Sequence, residues 1–109
     1  MTPGDLSILA ARAVSNAEAL RDGRRGSTEA QTEASKIAAD LRSYARTTSG
    51  ETSVSAGEVY FATGFLLQAT ERWARYLQYQ NEQDRADDWR DVTFAFAALV
   101  RNAVSREAA

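Results

Sequence analysis

The densest group of chemically capable side chains is Asp87-Asp88-Trp89-Arg90-Asp91, with Glu82 and Asp84 just before it. Carboxylates one helical turn apart can share a hard divalent cation such as magnesium, which takes oxygen ligands and negative charge. Arg85 and Arg90 sit among these acids and offset part of their charge. The same acids also have a plain structural role, because negative charge at the start of a helix is favoured by the helix dipole. Around them the usual catalytic groups are missing. The chain has no His and no Cys, and so no imidazole base, no thiolate nucleophile and none of the ordinary zinc ligands. Its Ser and Thr hydroxyls have no His to activate them, and Lys36 is the single Lys.

The spacing D-D-x-x-D is similar to the magnesium-diphosphate motif of isoprenoid synthases. That chemistry needs a large helical cavity and a second metal motif, and 109 residues provide neither. All-α nucleotide pyrophosphohydrolases answer E-x-x-E on one helix with E-x-x-D on the next. Here the third helix carries only Glu58 and Glu71, 13 positions apart. No G-x-x-x-x-G-K-S/T loop and no G-x-G-x-x-G occurs, so the phosphate-cradling backbone motifs are absent. The expectation is a non-enzymatic protein without a cofactor or a bound metal.

A second constellation has more to say. Phe61, Phe65, Gln68, Arg72, Arg75 and Tyr79 recur at heptad steps, outside the apolar face of the third helix. Phe94 lies off the core of the fourth helix, between Arg90 and Arg101, and Ile8 is an outlier on the first. Aromatic and Arg side chains are enriched in interface anchors. They also suit single-stranded nucleic acid, where bases stack on rings and guanidinium meets phosphate. A third account needs no partner: a central helix whose wide apolar face meets two neighbours, with Arg lying over rings at the rim.

The elements that carry these residues are helices. The only Pro is Pro3, and Gly occurs six times, at 4, 23, 26, 50, 57 and 64. Such sparse punctuation implies long helices. The first is expected over 3–22, with Thr2 as cap and Leu6, Leu9, Ala13, Ala17 and Leu20 on one face, stopped by Gly23 and Gly26. The second is expected over 29–47, with a Thr28/Gln31 capping box and the stripe Ala30, Ala34, Ile37, Leu41, Tyr44 and Thr48. Residues 48–53 read as a loop. The third is expected over 56–81, opened by a Ser55/Glu58 capping box and closed by Asn81 in a left-handed cap. Val59, Ala62, Leu66, Ala69, Trp73 and Tyr76 form its core stripe, and Gly64 is placed to let another helix approach. The fourth is expected over 84–107, with Trp89, Val92, Phe96, Leu99, Val100 and Ala103 facing inward. No period-2 strand pattern appears. These patterns predict a single all-α domain over 1–109, an antiparallel four-helix bundle open to completion by oligomerisation.

Composition agrees with a folded domain: 44% hydrophobic and 26% charged residues, with a formal charge of −2. That balance argues against bulk electrostatic adhesion to nucleic acid or membrane. No apolar run is long enough to span a bilayer, and the start lacks the basic and apolar segments of a signal peptide. A cytoplasmic location without membrane association is therefore expected. The basic turn Arg21, Arg24 and Arg25 contains Asp22, which makes it a solvated turn rather than an anion grip. The functional expectation is a small helical interaction protein, acting as an oligomer or as a subunit or adaptor of a larger assembly. Its partner is another protein or a second copy of itself. The alternatives are a nucleic-acid-contacting subunit of a ribonucleoprotein-type complex, a phage-type structural connector and a small inhibitor protein.

Overall fold

In the computed structural model, residues 3–48 and 53–108 are described, with side chains from Asp5 onward. The Thr2 cap and residues 49–52 of the expected loop lie outside these. The chain forms four helices: α1 (Pro3–Arg21), α2 (Ser27–Thr48), α3 (Val54–Leu77) and α4 (Gln83–Ala108), with a 3-10 turn, Gln80–Glu82, between the last two. They make an antiparallel four-helix bundle, a rod of 45 × 22 × 21 Å.

Helix α3 packs against all three other helices, and α1 also touches all of its neighbours, whereas α2 and α4 stand apart on opposite flanks. The cross-section is thus a rhombus with α1 and α3 on the short diagonal. The residues expected from periodicity are buried, Leu6, Leu9, Ala13, Ala17 and Leu20 in α1 and Ala30, Ala34, Ile37, Leu41 and Tyr44 in α2, except that Thr48 is only half-buried; in α1 Ala10, Val14, Asn16 and Ala19 widen the buried face. The α1–α2 turn closes as anticipated at Gly23, whose φ is +75°. The Arg24 amide donates to Ala19 at 2.9 Å and the Gly23 amide to Leu20 at 3.4 Å, the paired closure of a helix on a left-handed residue. Asn16, fully buried, secures this turn: its amide donates to the Ala30 carbonyl at 2.9 Å and its oxygen accepts from Arg25 at 2.7 Å.

Several helix boundaries differ from the expected ones. Helix α2 starts earlier, with the Ala30 amide donating to the Gly26 carbonyl, and Gln31 reaches across to Glu71 rather than back to Thr28. Helix α3 is capped by Ser53, whose hydroxyl accepts from the Ala56 amide at 3.1 Å. Ser55 instead bonds Glu107, and Glu58 pairs with Arg106 at 2.8 Å, so both residues of the expected capping box tie α3 to the end of α4. Helix α3 ends at Leu77, not Asn81, and no residue other than Gly23 has positive φ among those described. Side-chain amides end it. Gln78 donates to the Ala74 carbonyl at 3.1 Å, and Gln83 donates to the Leu77 carbonyl at 3.5 Å. Carbonyls left over at a helix terminus are satisfied by donors of this kind.

The inward face of α4 is also rotated from expectation. Ala86, Thr93, Ala97, Val100 and Ala103 are buried, Trp89 and Phe96 are half-buried, and Val92 and Leu99 are exposed. Small side chains let α4 lie closely along α3, and the larger ones turn outward. No helix is long and apolar enough to cross a membrane among the described residues.

Candidate functional site

The outward face of α3, flanked by α2 and α4, carries most of the stripe singled out by sequence. Phe61 is 63% exposed and Phe65 is 49% exposed, although α3 contacts three helices. A central position in the bundle therefore does not absorb these rings. Gln68, Arg72 and Arg75 continue the exposed line up the helix.

On the α4 side, Phe65 stacks on Phe96 with centroids 5.5 Å apart and rings inclined by 20°. Phe96 lies between Val92 and Leu99 on the helix surface, and Leu99 is 52% exposed. These residues form an apolar ridge beside α3. Hydrophobic periodicity alone assigns Val92, Phe96 and Leu99 to the core and so hides this ridge; the buried line of Ala and Thr one step round the helix is the signal that separates them.

On the α2 side, the surface falls into a hollow of about 410 Å³. Gly64, Ala34 and Ala38 give it a floor of small residues, Phe61 and Tyr60 wall it, and Arg42 stands on its rim. Gly64 does not mark a close helix crossing. A methyl group there would meet only the Leu41 side chain, at 3.8 Å.

The remaining sequence candidates are placed elsewhere. Tyr79 is 54% exposed but lies beyond the end of α3, in extended backbone at the tip of the bundle, so it leaves the stripe. Phe94 is half-buried and packs against the core: it meets Trp73 edge-on at 5.6 Å, and the Arg21 guanidinium lies 4.8 Å from its ring centre. It is thus a bridge between α1, α3 and α4.

The Arg residues are largely engaged within the molecule. Arg72 lies 5.0 Å from the Trp89 ring centre. Arg75 chelates Glu71, with its nearest contact at 2.6 Å. Arg90 sits 3.5 Å from both Asp87 and Asp91, and Arg101 bonds Glu18 at 3.1 Å. Burial pushes the Glu71 carboxyl up, but hydrogen bonds from Arg75 and Gln31 outweigh it and hold the group below its ordinary range. In the α1–α2 turn Asp22 pairs with Arg21 and Arg24 at 3.0 and 3.3 Å. The acids at the start of α4 do not converge: no three potential metal ligands come together among the described residues.

Comparison with known proteins gives no match, whether to a family model, a curated protein or a solved structure.

Proposed function

We propose that this protein works by docking onto other protein, through the three-helix face centred on Phe61 and Phe65. The observation that carries this reading is their exposure beside the Val92–Phe96–Leu99 ridge. Two rings, a Leu and a Val contribute a few hundred Å² of exposed apolar surface, on the basis that a large aromatic side chain presents about 150–250 Å². A contiguous patch of that size, rimmed by Gln68, Arg72 and Arg42, matches the apolar centre and polar rim of an interaction site.

Nucleic acid fits the same face less well. Arg72, Arg75, Arg90 and Arg101 all have acid or ring partners within the molecule, so phosphate would have to compete for each. Labelled single-stranded RNA or DNA, titrated across salt concentrations, tests that reading; salt-dependent binding that is lost on changing Arg72 and Arg75 supports it. The docking reading is tested by co-purification from native cells of the wild type and of a Phe61→Ser/Phe65→Ser variant, with circular dichroism as the folding control. Proteins recovered stoichiometrically with the wild type are expected to be lost from the variant. Equal recovery by both refutes it.

A further inference from the structure

We infer that the occupant of this face is an acidic amphipathic helix of a partner protein, seated in the hollow between α2 and α3 with its carboxylates toward Arg42 and Arg72. The inference rests on the docking reading above and names the chemistry of the partner. It stands on the shape of the hollow and on the charge at its two ends.

The hollow runs along two antiparallel helices. Gln31 of α2 bonds Glu71 of α3 at one end, and Leu41 lies beside Gly64 toward the other. At 1.5 Å of rise per residue, Gly64 to Arg72 spans about 12 Å and Gln31 to Arg42 about 16 Å, or two to three helical turns. The floor is Ala34, Ala38 and Gly64, and the Phe61 and Tyr60 rings stand beside it. Small residues below and rings alongside leave room for bulky side chains projecting from a helix. An amphipathic helix enters a groove in this way, through apolar anchors at i, i+3 or i+4, and i+7.

Charge decides the sign of the occupant. Arg42 makes no ion pair among the described residues, and its neighbours one turn away on α2 are Ala38, Ala39, Ala45 and Arg46, with no acid among them. Other cations without a carboxylate are compensated locally: Lys36 lies between Glu33 and Asp40 on its own helix, and Arg25 is held by Asn16. At the far end of the hollow Glu71 faces both Arg72 and Arg75, and its hydrogen bonds come from Arg75 and Gln31. Arg72 lays its guanidinium by Trp89, 5.0 Å from the ring centre, which leaves the N–H edge without an acceptor among the described residues. One carboxylate at that edge displaces nothing. A nucleic-acid strand would instead draw on Arg75, Arg90 and Arg101, which are paired, and would set phosphates over an uncharged floor. Glu29, Asp84 and Asp88, acids without an ion pair among the described residues, do not line the hollow. Both ends therefore keep an excess of positive charge, with an apolar floor between them. The complementary surface is negative at both ends and apolar in the middle, as a helix provides with carboxylates at i and i+11, about 16 Å apart.

Fluorescence anisotropy with a pair of labelled, Ala-based helical peptides tests this. One carries Glu at i and i+11 and Leu at i+4, i+7 and i+8, all on one face; its twin has Lys in place of both Glu. Titrated with the full chain to millimolar concentration, the Glu peptide is expected to bind at least tenfold more tightly than the Lys peptide. Phe61→Ser should abolish binding. Arg42→Glu/Arg72→Glu, checked for folding by circular dichroism, should reverse the preference, because like charges then face the Glu peptide and opposite charges its twin. No binding of the Glu peptide, equal binding of the two peptides, or a preference that the double charge variant leaves unchanged overturns the acidic helix as occupant. So does single-stranded RNA that displaces the Glu peptide and binds more tightly than it. The docking reading is judged apart from this. A protein that co-purifies with the wild type and with Arg42→Glu/Arg72→Glu, but not with Phe61→Ser/Phe65→Ser, upholds docking and overturns the acidic helix.

Discussion

Phe94 and Phe61 stand on opposite sides of the line between core and interface, and truncating each to Ala separates the two roles. Phe94 is half-buried against both parts of the core, edge-on to Trp73 at 5.6 Å and beneath Arg21 at 4.8 Å. Full truncation of a buried Phe costs about 3–5 kcal/mol, and half-burial brings that to about 2. The edge-on aromatic pair adds about 0.5–1.5 kcal/mol, and the cation over a partly exposed ring about 0.5. Phe94→Ala should therefore destabilise by about 3 kcal/mol, which for a domain of this size lowers the melting temperature by roughly 10–15 °C. Phe61, 63% exposed, rests chiefly edge-on against its neighbour Tyr60 at 5.3 Å. Its truncation should stay within about 0.5 kcal/mol. Urea unfolding followed by far-ultraviolet circular dichroism decides this, at protein concentrations low enough that association adds nothing to stability. Association itself should respond in the opposite sense, strongly to Phe61 and weakly to folded Phe94→Ala. A Phe94→Ala loss under about 1 kcal/mol, or a larger loss from Phe61→Ala, would refute this division of roles.

Three further outcomes are expected. Thr63 is fully buried and its hydroxyl has no hydrogen-bond partner; Thr63→Val keeps the shape, removes the unsatisfied group and should stabilise by about 1–2 kcal/mol, measured by thermal unfolding. Gly64 is helical with room for a methyl group, the nearest side-chain atom being 3.8 Å away, so Gly64→Ala should stabilise by about 0.5–1 kcal/mol, and any loss in urea unfolding contradicts the geometry. Glu71 is held below its ordinary range by Arg75 and Gln31 despite the opposing effect of burial. Its contribution is complete above the unfolded-chain value of about 4.3 and is lost as pH falls from there through the lower folded value. Unfolding free energies measured from pH 7 to pH 3 should fall less steeply in that acid window for Glu71→Gln than for the wild type.

The helices were legible because their signals are local. Stripes such as Ala30, Ala34, Ile37, Leu41 and Tyr44 repeat at helical spacing, and Gly23 stops α1 with the left-handed backbone that glycine favours. The boundaries around α3 were less legible because partners distant in sequence decide them. Ser55 and Glu58 suit a capping box, yet Glu107 and Arg106 claim them across the bundle. The end at Leu77 is met by side-chain amides from Gln78 and Gln83, residues with no special place in the usual helix-stop patterns. Of the candidate site, Phe61 and Phe65 were visible as apolar residues off the main stripe. Val92 and Leu99 were not, since hydrophobicity alone assigns a Leu or Val to the core whenever the periodicity permits it.

The reason those residues turned outward also bears on function. Of the 24 buried apolar residues among those described, 12 are Ala, and none of the four Phe is among them. Alanine is small and a strong helix former; lining α1, α3 and α4 with it, and with Thr63, Thr70 and Thr93, leaves little room between helices for rings. The bundle therefore closes on its small residues, and bulk that could have filled a wider core stands on the surface instead. A core built this way gains less from burial, because the apolar area removed from water scales with the side chains enclosed. Covering Phe61, Phe65, Val92 and Leu99 against another protein surface would bury part of the area the fold leaves in solvent. The same choice of small interior residues that brings α4 close along α3 thus produces the face through which the protein is proposed to act.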